Sequence, residues 1–133
     1  MLRKLHPSAI VLTVRPNPVL DEQLWKFAVA EPLPQPETWT AVFDSTGILF
    51  WSGVFTPVLA AVVPLELADR FEHEHLEVVG RSAAALSVRG SRGDVTLTFV
   101  VGRGSWGILS RSNSEIAKLV ERLAVGLANG FGR

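Results

Sequence analysis

Two neighbouring histidines, one glycine-rich run and a few clustered carboxylates are the residues here whose types and spacing suggest chemistry. Glu72-His73-Glu74-His75 has the residue types of a metal site. On a helix, residues two apart point about 200° away from each other, so His73 and His75 would not share an ion; ligands at i and i+4 would. On an extended segment they would share a face. His6 is the only other histidine and cysteine is absent. The segment therefore reads as the polar end of a helix, and no metal ligand is expected.

Gly102-Arg103-Gly104-Ser105-Trp106-Gly107 matches the dinucleotide fingerprint letter for letter. That fingerprint works only where a strand leads into a helix whose N-terminus meets the pyrophosphate. Here Ile108 to Arg111 reads as a further strand, so a glycine-rich hairpin turn is the better reading. A kinase-type glycine loop would need far more chain after it. Arg92-Gly93-Asp94 spells an adhesion tripeptide, but without a secretion signal it reads as a hairpin tip. Asp69 and Glu72 form no general acid/base pair unless burial separates their pKa values. With no cysteine, no tyrosine and no Ser/His/Asp elbow, the expectation is a non-enzymatic chain without a cofactor.

Composition narrows the field further. The 133 residues, 47% hydrophobic and 20% charged, suit one folded domain with a real core. The apolar run Ala9-Ile10-Val11-Leu12 is too short for a signal sequence, and no later run reaches membrane-spanning length. A soluble, cytoplasmic protein with no membrane partner is expected. Net charge is zero, but acids gather in residues 21–77 and arginines in 78–113. Scarce lysine and nil net charge argue against a nucleic-acid partner. Arg89, Arg92, Arg103 and Arg111 are left as a candidate surface for a protein partner.

The elements that would position these groups follow from periodicity. Residues 1–19 read as an N-terminal arm with a short strand over Ile10 to Val14; residues 20–133 read as one domain. Leu20, Leu24, Phe27 and Ala28 mark a helix over Asp21 to Ala30. Pro32, Pro34 and Pro36 impose an extended spacer. Trp39 to Phe43, the turn Asp44-Ser45-Thr46-Gly47 and Ile48 to Trp51 make a hairpin. After Thr56-Pro57, helical spacing runs from Val58 through Leu65 to His75. Pro64 interrupts it at a cost of about 3 kcal/mol unless the helix kinks; the alternative is a strand over 58–63 with the helix starting at Pro64. Strands are expected over Ala83 to Arg89, Val95 to Val101 and Trp106 to Arg111. Ser112 and Glu115 form a capping box for a last amphipathic helix, which Asn129-Gly130 ends.

This order, α-β-β-α-β-β-β-α, with the run Val42-Phe43-Asp44-Ser45-Thr46-Gly47-Ile48-Leu49, resembles the Roadblock/LC7 family of profilin-like folds. The resemblance implies a five-stranded antiparallel sheet with helices on both faces. It further implies a homodimer joined edge to edge through the third strand, with the second helices packed together. Val58, Leu59, Val62, Val63 and Leu65 of that helix, and Ala84, Leu86 and Val88 of that strand, would form the interface. The function so implied is a regulatory or scaffolding module, acting on a small Ras-like GTPase. The rival is a small-molecule-sensing domain of PAS or profilin type, which would need a roomy cavity.

Overall fold

The computed structural model describes residues 9–15, 18–30, 38–52, 57–78, 81–90, 96–101 and 112–131. Strand β1 (Ile10–Arg15) leads to a short helix α1 (Pro18–Leu24) and a 3-10 turn (Trp25–Phe27). Then come β2 (Trp39–Phe43), β3 (Gly47–Ser52), β4 (Val58–Pro64), a second 3-10 turn (Leu65–Leu67), β5 (Arg70–Val78), β6 (Arg81–Arg89) and β7 (Thr96–Val101). Helix α2 (Asn113–Ala128) follows. The seven strands form one antiparallel sheet in the order β4-β3-β2-β1-β7-β6-β5.

This corrects the expected fold. The sheet has seven strands rather than five, and the long second helix does not exist: residues 58–78 supply two strands separated by a 3-10 turn. Val58-Leu59-Ala60-Ala61-Val62-Val63 is an apolar, β-branched run of strand length. Pro64 stands at its end, on a strand at the rim of the sheet, where a missing N–H costs little. The segment at Ile10 is a central strand paired with β2 on one side and β7 on the other. The proline spacer, the Arg92-Gly93-Asp94 tip, the glycine-rich run and the strand expected over Trp106 to Arg111 lie outside the described residues.

The sheet is strongly curled. Its two rim strands, β4 and β5, are joined by only Leu65 to Asp69, a link reaching roughly 20 Å at full stretch. A flat seven-stranded sheet would hold its rims roughly 29 Å apart. The aromatic contacts say the same. Phe43 on β2 and Phe71 on β5 lie four strands apart in the sheet, yet their rings meet at 5.8 Å. Phe50 on β3 meets Phe99 on β7 at 6.0 Å.

The concave face is the core. Ile10, Leu12 and Val14 alternate with exposed or half-exposed residues along β1, and Trp39, Ala41 and Phe43 join them from β2, where Thr40 is half-buried and Val42 is buried outside this cluster. Leu20 and Leu24 of α1 enter the same cluster as Ile116, Leu119 and Leu123 of α2. Both helices therefore serve one hydrophobic interior. α1 packs on β7, and Gln23 Oε1 accepts the Thr98 backbone N–H at 2.8 Å. α2 packs on β5 and β6.

Local chemistry sets the turns. Asp44 Oδ1 accepts from the backbone N–H of Thr46 at 2.8 Å and of Gly47 at 3.3 Å. Gly47 has φ 151°, and a Cβ there would lie 2.1 Å from the Val63 carbonyl oxygen. Only glycine lets β4 approach the hairpin this closely.

Candidate functional site

A concavity lies where β4 hands over to β5, beneath the end of α2. Pro64 stops β4 and turns the chain into Leu65–Leu67, whose first residue is buried while Glu66 is exposed. Facing it, α2 ends in a paired set of capping bonds. The Phe131 N–H donates to the Gly126 carbonyl at 2.7 Å and the Gly130 N–H to that of Leu127 at 3.0 Å, with Gly130 at φ 62°. This Schellman arrangement swings Phe131 back into the core. Its ring meets Phe43 at 6.2 Å and covers Gly126, where a Cβ would lie 2.3 Å from the ring.

Between these two ends is a shallow cavity of about 410 Å³, widely open to solvent. Leu65, Glu66, Leu127, Ala128, Asn129 and Gly130 line it. Two leucines supply apolar wall, and a carboxylate and an amide supply polar groups. The end of a helix carries partial negative charge, and the last turn of α2 has no basic residue to offset it. Glu66 and the end of α2 both contribute negative charge at this mouth.

No protein-family model, curated protein or solved structure matches this chain.

Two other groupings lie on β5. On the outer face, Glu72 accepts from Arg70 Nε at 3.0 Å and from Arg89 Nε at 2.9 Å, and Arg89 also pairs with Glu74. Arg70 reaches Asp69 at 3.3 Å. The Arg70 bond, helped by Arg89, holds the Glu72 carboxyl below its ordinary value. Asp69 and Glu72 are thus part of an ion-pair ladder rather than an acid/base couple. On the other face, exposed His73 and His75 lie side by side, ring centroids 5.3 Å apart and planes at 42°. His73 Nε2 lies 3.1 Å from Asn113 Oδ1, at the start of α2. The helical reading that separated these two rings fails, because the segment is a strand.

The remaining expected site residues scatter. Val58 is exposed, Leu59 and Val62 are half-buried, and Val63 and Leu65 are buried. They line a rim strand and its turn instead of one helix face. Ala84, Leu86 and Val88 are buried on β6, which lies between β5 and β7 and has no free edge. Arg89 belongs to the ladder; Arg92, Arg103 and Arg111 lie outside the described residues. Near β1, burial pushes the Asp21 carboxyl above its ordinary value, and interaction with Trp39 partly offsets this. Even so, Trp39 Nε1 is buried without a partner in full hydrogen-bond geometry. Sequence reasoning missed the cavity lining altogether, since residues 65–66 and 127–130 carry no shared motif. The histidines share a face only on an extended segment, an option that the helical reading sets aside; the segment is the strand β5.

Proposed function

We propose that this chain is a non-catalytic binding domain that takes a small molecule, with an apolar body and a cationic or hydrogen-bond-donating head, in the cavity beneath the end of α2. The observation that carries this reading is the cavity itself. Its volume of about 410 Å³ falls within the roughly 300–1,000 Å³ common for small-molecule sites. Leu65 and Leu127 would cover the apolar body. Glu66, the Asn129 amide and the negative end of α2 would face the head. Binding rather than reaction is favoured because Glu66 is the one titratable side chain in the lining.

The homodimeric regulatory reading, with a small GTPase as partner, has lost two supports: a long second helix, and β6 as a free edge. Light scattering would revive it by showing a stable dimer. No described helix is long and apolar enough to cross a membrane. A cytoplasmic location belongs to this proposal and is checked by cell fractionation.

The test is thermal shift with alkylamines and arylamines of graded size, each against its carboxylate counterpart. Amines that fit should raise Tm and carboxylates should not; a ligand at about 100 times its Kd adds about 2.7 kcal/mol. Leu127→Trp, which fills the cavity, and Glu66→Lys, which reverses its charge, should each abolish the shift. Equal shifts in both variants, or none in the wild type, would sink the reading.

A further inference from the structure

We infer that His73 and His75 form a chelating site for one borderline divalent transition metal, such as Zn²⁺, Ni²⁺ or Cu²⁺, on the rim strand β5. Three observations converge. First, two residues apart on a strand project to the same face, and both rings are exposed. Second, the spacing fits a shared ion. With Zn–N bonds of about 2.0–2.1 Å, two imidazoles at a tetrahedral angle place their ring centroids roughly 5.2 Å apart. The observed separation is 5.3 Å, which matches the spacing a shared ion requires. Third, one ring already has an outer partner. His73 Nε2 lies 3.1 Å from Asn113 Oδ1, the kind of outer contact that holds a ligating histidine in place while its other ring nitrogen meets the metal.

Imidazole pairs suit zinc, copper and nickel, and not magnesium or calcium, which want oxygen donors. Among the described residues no third histidine or carboxylate completes a cluster. The remaining coordination positions are therefore open to water or to a donor from another molecule. The outer carboxylates Glu72 and Glu74 point to the opposite face and belong to the arginine ladder, so they are not ligands.

The experiment is calorimetric titration of the metal-free full-length chain with Zn²⁺ and with Cu²⁺ at pH 7.5, beside His73→Gln, His75→Gln, Asn113→Ala and His6→Gln. One ion per chain should bind to the wild type and to His6→Gln alike. Each of His73→Gln and His75→Gln should weaken binding at least tenfold. Asn113→Ala should weaken it roughly tenfold while leaving the stoichiometry at one. Far-UV dichroism of each variant confirms that the fold is kept. Unchanged affinity in His73→Gln or His75→Gln, loss in His6→Gln instead, or no binding at one equivalent would each overturn the site.

Discussion

Leu86 tests the topology most sharply. In an edge-joined dimer, Leu86→Asp would cut the interface and leave a folded monomer. In the curled sheet, Leu86 is fully buried on β6, with His73 opposite on β5 and Phe99 on β7. Removing such a side chain as Leu→Ala costs about 2–5 kcal/mol through lost transfer energy and the cavity left behind. Asp adds a carboxylate at a fully buried position, and burying that charge costs several kcal/mol more unless it is paired. Total domain stability is about 5–15 kcal/mol, so Leu86→Asp should leave the chain mostly unfolded at pH 7. Leu86→Ala should stay folded, with Tm lowered by about 10–15 °C for a loss of about 3 kcal/mol. Val11→Asp, on the outer face of the same sheet and 49% exposed, should cost under about 0.5 kcal/mol. Dichroism-monitored melting and urea titration of the three variants give the answer. A Leu86→Asp chain with wild-type dichroism and the mass of a monomer would refute the central placement of β6.

Two further variants probe the site and its supports. Gly126→Ala should destabilise the protein, against the gain of about 1 kcal/mol that Gly→Ala brings inside an ordinary helix, because the new methyl meets the Phe131 ring; urea denaturation reads the sign directly. The Glu72 carboxyl is held below its ordinary value, so the folded chain binds its proton less tightly than the unfolded one. Its contribution to stability is complete above the ordinary glutamate pKa of about 4.3 and fades as pH falls through the lowered folded value. Glu72→Gln should therefore flatten the acid limb of the stability–pH curve, most clearly at low salt, where exposed pairs are least screened.

The parts of the fold legible in the sequence are those written in local chemistry. Asp44 and Gly47 define their turn by hydrogen bonds within four residues, and the Ser112–Glu115 capping box and Gly130 bound α2 as their residue types require. Residues 58–78 misled because Val58, Ala61, Val62, Leu65, Ala68 and Phe71 happen to recur at helical spacing. Their true period is two, with a break at Pro64, and β3 decides it by pairing with β4. Farther along, Glu72-His73-Glu74-His75 does alternate, but both partners are polar, so hydropathy is silent there. The cavity was illegible for another reason. Its walls come from opposite ends of the sequence, and the capping bonds that shape it use main-chain groups that any residue carries.

The position of β1 bears on how the chain assembles. Strands β2, β3 and β4 form one meander and β5, β6 and β7 another, each built from neighbours in sequence. Only β1 joins them, through Val14 opposite Val101 and Arg15 opposite Val100. Each meander is thus a local unit, whereas their union waits on a contact spanning most of the chain, the kind of pairing that slows folding. Among the described strands β1 comes first in the chain, yet its second neighbour, β7, comes last. The edge that β1 turns toward β7 is thus completed only by the strand farthest from it in the chain, and the two halves of the sheet become one surface through that single seam.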